Sequence, residues 1–202
     1  TIVKKDGKLV YSDEKNETGK VEYTAYSIGD EVTVGGENFY VIANSDEENP
    51  NVTLLAKYNL NLEGTAQSNA EYVETACVFS STNYWSNETE YPLNLNDYTI
   101  PEGVTSLITT AKAYGAAKGG TGRLMTKEEA ETLATNYAGI IYGKTINATS
   151  GFLCYWLDSA ESTETVLLVF GGSNTMYSSN YDMHGNMYGL RPVVEISKDK
   201  IN

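Results

Sequence analysis

The chain is short of the residues that build most catalytic and metal centres. Its 202 residues include one histidine, His184. A single histidine excludes every mechanism that needs a histidine pair, which removes common zinc sites and the usual iron triad. A Ser-His-Asp triad would need His184 and a serine on a Gly-x-Ser-x-Gly elbow, and no such elbow occurs. We therefore interpret His184 as a polar surface residue, with a catalytic base as the alternative.

Cysteine is almost as scarce as histidine. The two cysteines, Cys77 and Cys154, are far apart and form no closely spaced metal or redox motif. Cys154 lies in an apolar stretch, where a thiol is usually inert, although a catalytic pair of Cys154 and His184 stays open. Two interpretations of the cysteines remain. They are small buried side chains in strands, or they form a disulfide that closes a long loop, as suits a secreted protein.

Basic residues and long apolar runs are also few. Lys and Arg number 14 against 27 Asp and Glu, and the formal net charge is −13. Nucleic acids and anionic membranes attract clustered cations, so we expect neither as a partner. No apolar run reaches the length that spans a bilayer, so we predict no membrane insertion by this chain. The hydrophobic content of 41% still predicts a folded protein that meets cations, sugars or other proteins in water.

The first third of the chain predicts β-structure. Residues 1–20 are polar and charged, which indicates a frayed N-terminal extension or a short hairpin. Between 21 and 61, β-branched and aromatic residues alternate between turn signals, which predicts three or four antiparallel strands. The acidic run 46–48 is expected at a solvated hairpin tip. The alternative is a calcium loop, although the run lacks the alternating spacing of calcium ligands. The core candidates are Val32, Val34, Phe39, Val41, Val52, Leu54 and Leu55.

Two helices are predicted in the middle of the chain. In 104–114, Val104, Leu107, Ile108 and Ala111 share one helical face. A second helix begins at Thr126, which with Glu129 forms a capping box. Its apolar stripe comprises Ala130, Leu133, Ala134 and Tyr137. The glycine-rich stretch between the helices lacks the Gly-Lys-Ser/Thr of a phosphate loop, and we interpret it as a flexible connection.

The last third returns to strands, at "GFLCYWLD", "ETVLLVF" and the closing "YGLRPVVEIS". Pro192 is confined to an edge, a bulge or a strand end. Arg191 is expected to tie loop carbonyls or a carboxylate beside the closing strand. The order of strands, helices and strands predicts an α+β fold with a mainly antiparallel sheet and two helices. We expect one domain over 21–202, preceded by the extension 1–20.

An unusual polar stretch precedes the closing strand. Of the eighteen residues 173–190, twelve are Asn, Tyr, Ser, Thr, Asp or His, and none is Lys, Glu, Arg or Gln. All twelve fall within 173–188, which we call the polar segment. Tyr gives a large amphipathic contact area at low entropy cost, and Ser and Asn adapt their hydrogen bonds, as in antibody binding sites. The alternative is that its tyrosines pack and that Met176, Met183 and Met187 fill the core.

Several motifs together resemble one family. "GRLMTKEEAETLA" is similar to a "G-R-L-P-T-x-x-E" segment, "FLCYWLDSA" to a "Trp-Leu-x-Ser" strand, and "GLRPVVEI" to a closing "Gly-x-Arg-Pro-Val" strand. "IGDEVTVGGENFYVI" resembles an N-terminal hairpin of the same group. These are features of bacterial and phage proteins with a C-type-lectin fold related to the formylglycine-generating, sulfatase-modifying enzymes. The resemblance covers roughly residues 27–197 and implies a C-type-lectin-like fold whose last third presents a ligand-binding face.

The resemblance weakens each enzymatic role within that group. The formylglycine-forming branch needs a nearby cysteine pair, which Cys77 and Cys154 do not match. The iron-dependent relatives need several histidines. The calcium-type lectins use Glu-Pro-Asn or Gln-Pro-Asp, and neither occurs. We therefore expect no enzymatic activity and no cofactor, with calcium kept open because of the acidity.

One branch of the fold comprises the variable proteins of diversity-generating retroelements, whose variable region lies just before such a closing strand. Adenine-directed mutation of Asn codons yields the residue types of the polar segment. The resemblance thus implies a cell-surface, extracellular or phage-virion protein that binds an external protein or glycan. The alternatives are a formylglycine-generating-enzyme-like enzyme and a structural pilin or adhesin module. The expected contact residues are Asn174, Tyr177, Ser179, Asn180, Tyr181, Asp182, His184, Asn186 and Tyr188.

Overall fold

The computed structural model describes residues 2–5, 8–11, 22–60, 107–142, 154–160, 165–171, 173–180 and 189–202. These ranges contain ten strands and three α-helices. The strands are β1 (Ile2–Lys5), β2 (Lys8–Tyr11), β3 (Glu31–Val34), β4 (Glu37–Val41), β5 (Asn51–Ala56), β6 (Thr121–Arg123), β7 (Cys154–Ala160), β8 (Thr165–Phe170), β9 (Thr175–Asn180) and β10 (Val193–Ser197). The helices are α1 (Leu107–Ala117), α2 (Lys127–Asn136) and α3 (Ala138–Ile141), and a 3-10 turn follows at Lys198–Lys200.

The N-terminal residues form a hairpin. β1 and β2 pair antiparallel, with Val3 opposite Val10, and make a separate two-stranded sheet. Of the two structures predicted for this region, the short hairpin is the one observed.

The largest sheet has five strands in the order β3-β4-β5-β10-β6, and its strand pairs are antiparallel. The three strands predicted within 21–61 are β3, β4 and β5. Their apolar positions point inward, because all seven predicted core residues from Val32 to Leu55 are buried. Pro192 directly precedes β10, so it lies at a strand end, as predicted. β10 is an interior strand, between β5 and β6.

The acidic run 46–48 lies in the connection between β4 and β5 and is exposed, as predicted for a solvated tip. The side chain of Lys198 binds this connection. It is buried, and Nζ donates to the carbonyl oxygens of Asp46 at 2.6 Å and Ser45 at 3.4 Å. Burial lowers the pKa of Lys198, and the nearby charge of Asp46 opposes that change. Lys198 therefore holds the tip through two of its main-chain carbonyls. No local sequence pattern predicts this contact.

A second sheet has three strands in the order β7-β8-β9. Both faces of β8 are buried, because Val166 and Leu168 belong to one core cluster and Leu167 and Val169 to another. The first cluster also holds the inner face of the five-stranded sheet, α1 and Trp156. The second holds α2, α3 and Tyr155. Continuous apolar runs are what a strand covered on both faces requires, which explains "TVLLVF".

The closing chain joins the two sheets. Gly189 forms a parallel bridge with Tyr155 of β7, and Val193 a few residues later pairs with Leu55 of β5. Between them, the Leu60 N–H donates to the Leu190 carbonyl at 2.8 Å. Residues 189–197 thus connect the sheets through main-chain hydrogen bonds.

The glycine-rich stretch is not a flexible connection, and this prediction is wrong. Gly115 lies inside α1, and Gly122 lies inside β6. A Cβ on Gly122 would lie 1.9 Å from the Ala111 carbonyl oxygen, and one on Gly115 would lie 2.0 Å from the Gly122 nitrogen. The glycines let the helix and the strand touch through their backbones. These glycines therefore allow close packing. A glycine-rich composition is compatible with a flexible loop and with a close backbone contact, so composition alone does not distinguish the two.

The second predicted helix is confirmed together with its cap. Thr126 accepts from the Glu129 N–H, and the Glu129 side chain accepts from the Thr126 N–H, as a capping box requires. Arg123 adds two hydrogen bonds to the Glu129 carboxylate, at 2.6 and 2.7 Å. Burial alone would raise the pKa of Glu129, but these bonds and Arg123's charge lower it overall. The predicted stripe packs on the second core cluster.

We predict two helices, and the described residues contain a third, α3. The break between α2 and α3 is Tyr137, whose φ of −136° and ψ of 41° are not helical. Four residues are too short to show helical periodicity. The turn is stabilised by the burial of Ile141 in the second core cluster and by side-chain hydrogen bonds from Arg191 to the Ile140 carbonyl and from Tyr155 to the Ile141 carbonyl. The described part of the protein is α+β with mostly antiparallel sheets, and within it no helix is long and apolar enough to cross a membrane.

Candidate functional site

The polar segment begins as a strand. β9 pairs with β8 along its whole length, from Thr175 opposite Phe170 to Asn180 opposite Thr165. β9 is the outer strand of its sheet. Ser179 and Asn180, two of the predicted contact residues, therefore have a backbone set by pairing with β8, whose four central residues are buried.

Tyr177 is anchored at its ring. It is half-buried, packs against the first core cluster and meets Phe170 edge-on with ring centroids 5.8 Å apart. Met176 packs against the second core cluster. Packing, the alternative weighed for these side chains, is therefore observed for both. A tyrosine held this way offers a rigid, partly exposed edge, whose immobilisation on binding costs little entropy.

Three neighbouring polar residues are exposed: Ser173, Asn174 and Ser178. Asn174 has a φ of 52°, in the left-handed region that Asn tolerates better than most residues. It forms the turn that leads from β8 into β9. Of the predicted contact residues, Asn174 and Tyr177 are the two whose side chains lie in the described residues.

The other end of the polar segment is anchored at Gly189. Its N–H donates to the Cys154 carbonyl at 2.8 Å, and its carbonyl accepts from the Trp156 N–H at 3.1 Å. A Cβ on Gly189 would lie 2.1 Å from Nδ2 of Asn59, which itself donates to the Cys154 carbonyl at 3.0 Å. Only glycine fits this approach, so Gly189 belongs to the scaffold. Asn59, which the sequence analysis did not single out, is buried there.

Arg191 secures the chain just after this anchor. The side chain is 1% exposed and donates to the carbonyl oxygens of Ala56, Ile140 and Lys57 and to the Tyr155 hydroxyl. The predicted structural role of Arg191 is confirmed, but two of its three carbonyl partners lie in β5 and α3, not in loops. A planar guanidinium can serve acceptors in several directions at once, which an ammonium cannot.

The second half of the polar segment therefore connects two fixed points of one sheet. β9 ends beside the start of β8, and Gly189 lies beside the start of β7, on the side away from β8. Residues 181–188 join these opposite corners. The remaining predicted contact residues lie within this stretch, outside the described residues: Tyr181, Asp182, His184, Asn186 and Tyr188.

The chemistry around Cys154 is that of a buried thiol. Cys154 is free and 3% exposed, and burial raises its pKa, although a backbone hydrogen bond from Gly171 acts in the opposite direction. A raised pKa disfavours the thiolate that a nucleophile needs. Cys77 and His184 lie outside the described residues. Among those that are described, no group of three or more His, Cys, Asp or Glu could hold a metal ion.

Comparison of the chain with models of protein families, with curated proteins and with solved structures finds no match.

Proposed function

We propose that this chain is a non-enzymatic recognition domain whose polar segment contacts an external protein or glycan. A C-type-lectin-like fold and display at a cell surface, outside the cell or on a phage virion belong to the same proposal. The motifs that resemble this fold's bacterial and phage members are one support, and the physical layout of the segment is the other.

The observation that carries the proposal is that the chain is anchored on both sides of residues 181–188, the second half of the polar segment. Asn180 is paired to a strand buried on both faces, and Gly189 is locked against Asn59 and Cys154. Such a frame lets residues between the anchors change without disturbing the core. A scaffold that holds Tyr, Asn and Ser side chains between rigid anchors has the physical properties of a paratope.

Exposed and anchored residues play different parts in this proposal. Ser178 and Asn174 are exposed and can adapt hydrogen bonds to a partner. Tyr177 contributes an edge that Phe170 already holds in place. The Tyr177 ring is ordered before binding, so its contact with a partner loses little side-chain entropy.

We expect a substitution at Ser178 to weaken binding to a true partner. The chain would be applied to a glycan array and to an array of purified extracellular protein domains. A partner found there should bind the Ser178→Arg variant at least about tenfold more weakly, because a long charged side chain obstructs the contact surface. Thr132→Arg is the matched control, since Thr132 is an exposed residue on α2 and should leave the affinity unchanged. Equal losses in both variants, or none in Ser178→Arg, would refute the proposed contact surface.

We further propose that the polar segment is diversified by a retroelement. Genes from several natural isolates should then differ at adenines in the codons for 173–188, while codons for Gly189–Val194 stay constant. A template repeat and a reverse transcriptase should lie nearby. The codons for 44–53, another Asn-rich stretch, are the internal control and should not vary in this way. An invariant segment without that cassette would rule out diversification and leave a binding surface of fixed specificity.

A further inference from the structure

A groove of about 330 Å³ lies between the start of β4 and the outer face of α1. The groove is lined by Glu37, Leu60, Thr110, Ala113, Tyr114, Ala117 and Lys118. Its volume falls within the range of small-molecule sites in proteins. None of the residues that line the groove belongs to the polar segment, although Leu60 follows Asn59 and its N–H donates to the Leu190 carbonyl.

One wall of the groove is polar and highly ordered. The Tyr114 hydroxyl donates to Oε2 of Glu37 at 2.8 Å, and Nζ of Lys118 donates to Oε1 of the same carboxylate. The Glu37 and Lys118 side chains are only 11% and 13% exposed. Nζ of Lys118 also lies 5.4 Å from the centroid of the Tyr114 ring. Burial, the hydrogen bond to Glu37 and its negative charge together raise the pKa of Tyr114, so its hydroxyl stays protonated.

The other wall is apolar and formed by small side chains. Ala113 and Ala117 are exposed on α1, one turn apart, and Leu60 is buried beside them. Two alanines at helix positions i and i+4 leave a shallow space that larger residues would fill. Ala113 and Ala117 directly precede Tyr114 and Lys118 in the chain, so methyl groups lie beside the phenol and the ammonium in the lining of the groove.

We propose that this groove binds a neutral polyhydroxylated ring, that is, a pyranose sugar. A pyranose has C–H groups that suit the alanine and leucine wall, and hydroxyl groups that both donate and accept hydrogen bonds. A carboxylate beside an ammonium suits two adjacent hydroxyls, one donating to Glu37 and the other accepting from Lys118. An ammonium has three N–H donors, and the bond to Glu37 uses one of them.

Charge and desolvation argue against the other ligand classes. The Glu37–Lys118 pair is neutral overall, so it provides no net charge that favours an anion or a cation. A purely hydrocarbon ligand would offer no acceptor to the N–H donors of Lys118 that the bond to Glu37 leaves over. A neutral ligand with several hydroxyls is the class that satisfies both walls.

The Glu37–Tyr114–Lys118 network also ties α1 to β4, so removing one of its members would test stability as well as binding. Filling the groove is a cleaner test. Ala113→Phe and Ala117→Leu place bulk on the apolar wall and leave the network intact. Ala116→Phe is the matched control, because Ala116 is exposed on the same helix and does not line the groove.

The experiment is a titration of the folded chain with methyl glucopyranoside, methyl mannopyranoside and methyl galactopyranoside. Binding is followed by saturation-transfer NMR and by amide chemical shifts. At the free energy per atom typical of small ligands, we expect a Kd on the order of 1 mM for at least one sugar. Amide shifts should centre on Glu37, Tyr114 and Lys118. Binding should weaken at least about tenfold in Ala113→Phe and in Ala117→Leu, and persist in Ala116→Phe.

Three results would overturn the inference. They are the absence of binding by all three sugars, shifts centred away from the groove, and equal binding by the groove-filling and control variants. Circular dichroism of each variant establishes that it is folded. Because the groove does not include the polar segment, a failure here leaves the proposed recognition function untouched, and Ser178→Arg should not affect sugar binding.

Discussion

Gly122→Ala is expected to destabilise the protein by about 3 kcal/mol or more, a large part of the stability of an ordinary domain. The added Cβ would lie 1.9 Å from the Ala111 carbonyl oxygen, and the carbon of that carbonyl would be 2.8 Å away. These are backbone atoms of a helix, which cannot rotate away as a side chain can. Relief requires α1 to move off β6, and Ala111 and Leu107 would then leave the first core cluster.

The matched control for Gly122→Ala is Gly139→Ala. Gly139 lies in α3, and no atom lies within 4 Å of the position that its Cβ would take. Alanine has the higher helix propensity, so we expect no loss, or a gain of about 0.5–1 kcal/mol. Urea denaturation followed by circular dichroism measures both variants. Equal midpoints for the two would contradict the close approach of α1 and β6.

Arg191→Met is expected to cost about 3–5 kcal/mol of unfolding free energy. Methionine fills much of the same volume but donates no hydrogen bonds. The carbonyls of Ala56, Ile140 and Lys57 would lose their guanidinium partner in a site where Arg191 is 1% exposed. Each buried acceptor left without a donor costs about 1–3 kcal/mol. Arg191→Lys should also be strongly destabilising, because one ammonium cannot reach acceptors arranged around a planar fork.

Arg123→Met is the control for Arg191→Met. Arg123 also binds acidic and carbonyl oxygens, but its side chain is 27% exposed, so water can replace the lost contacts. We expect a loss of about 1 kcal/mol. Guanidinium chloride denaturation at neutral pH measures both losses. If Arg191→Met proves no worse than Arg123→Met, Arg191 is not the main tie between the closing chain, β5 and α3.

Arg191 also connects the stability of the core with the candidate site. One residue separates it from Gly189, where the polar segment rejoins the sheet. The loss of its hydrogen bonds would loosen the anchor that the proposed recognition function requires. A folded Arg191→Lys variant at low temperature should therefore bind a partner of the polar segment more weakly than the native chain does.

The sequence predicted the polar composition of the candidate site better than its secondary structure. The composition of 173–188 identified a polar segment. Composition did not reveal that Thr175–Asn180 is a strand, because Asn, Ser and Thr in a row also suit turns. Pairing with the apolar β8 overrides that preference. The anchoring of Tyr177 on Phe170 also depends on the register between the two strands.

The sequence by itself determined the features that depend on near neighbours in the chain. Alternation placed the core of β3, β4 and β5 inward, and the capping box between Thr126 and Glu129 began α2, because each signal acts over two to four residues.

Only the tertiary structure decided which distant residues meet. Glu37 and Tyr114 are 77 residues apart, and Asn59 and Cys154 are 95 apart. In the sequence, the glycines at 115 and 122 suggest a loop. In the structure, they allow the backbones of α1 and β6 to pack in direct contact. Such contacts form when packing brings separate helices and strands together. A local sequence pattern does not indicate which distant residue a given side chain will contact.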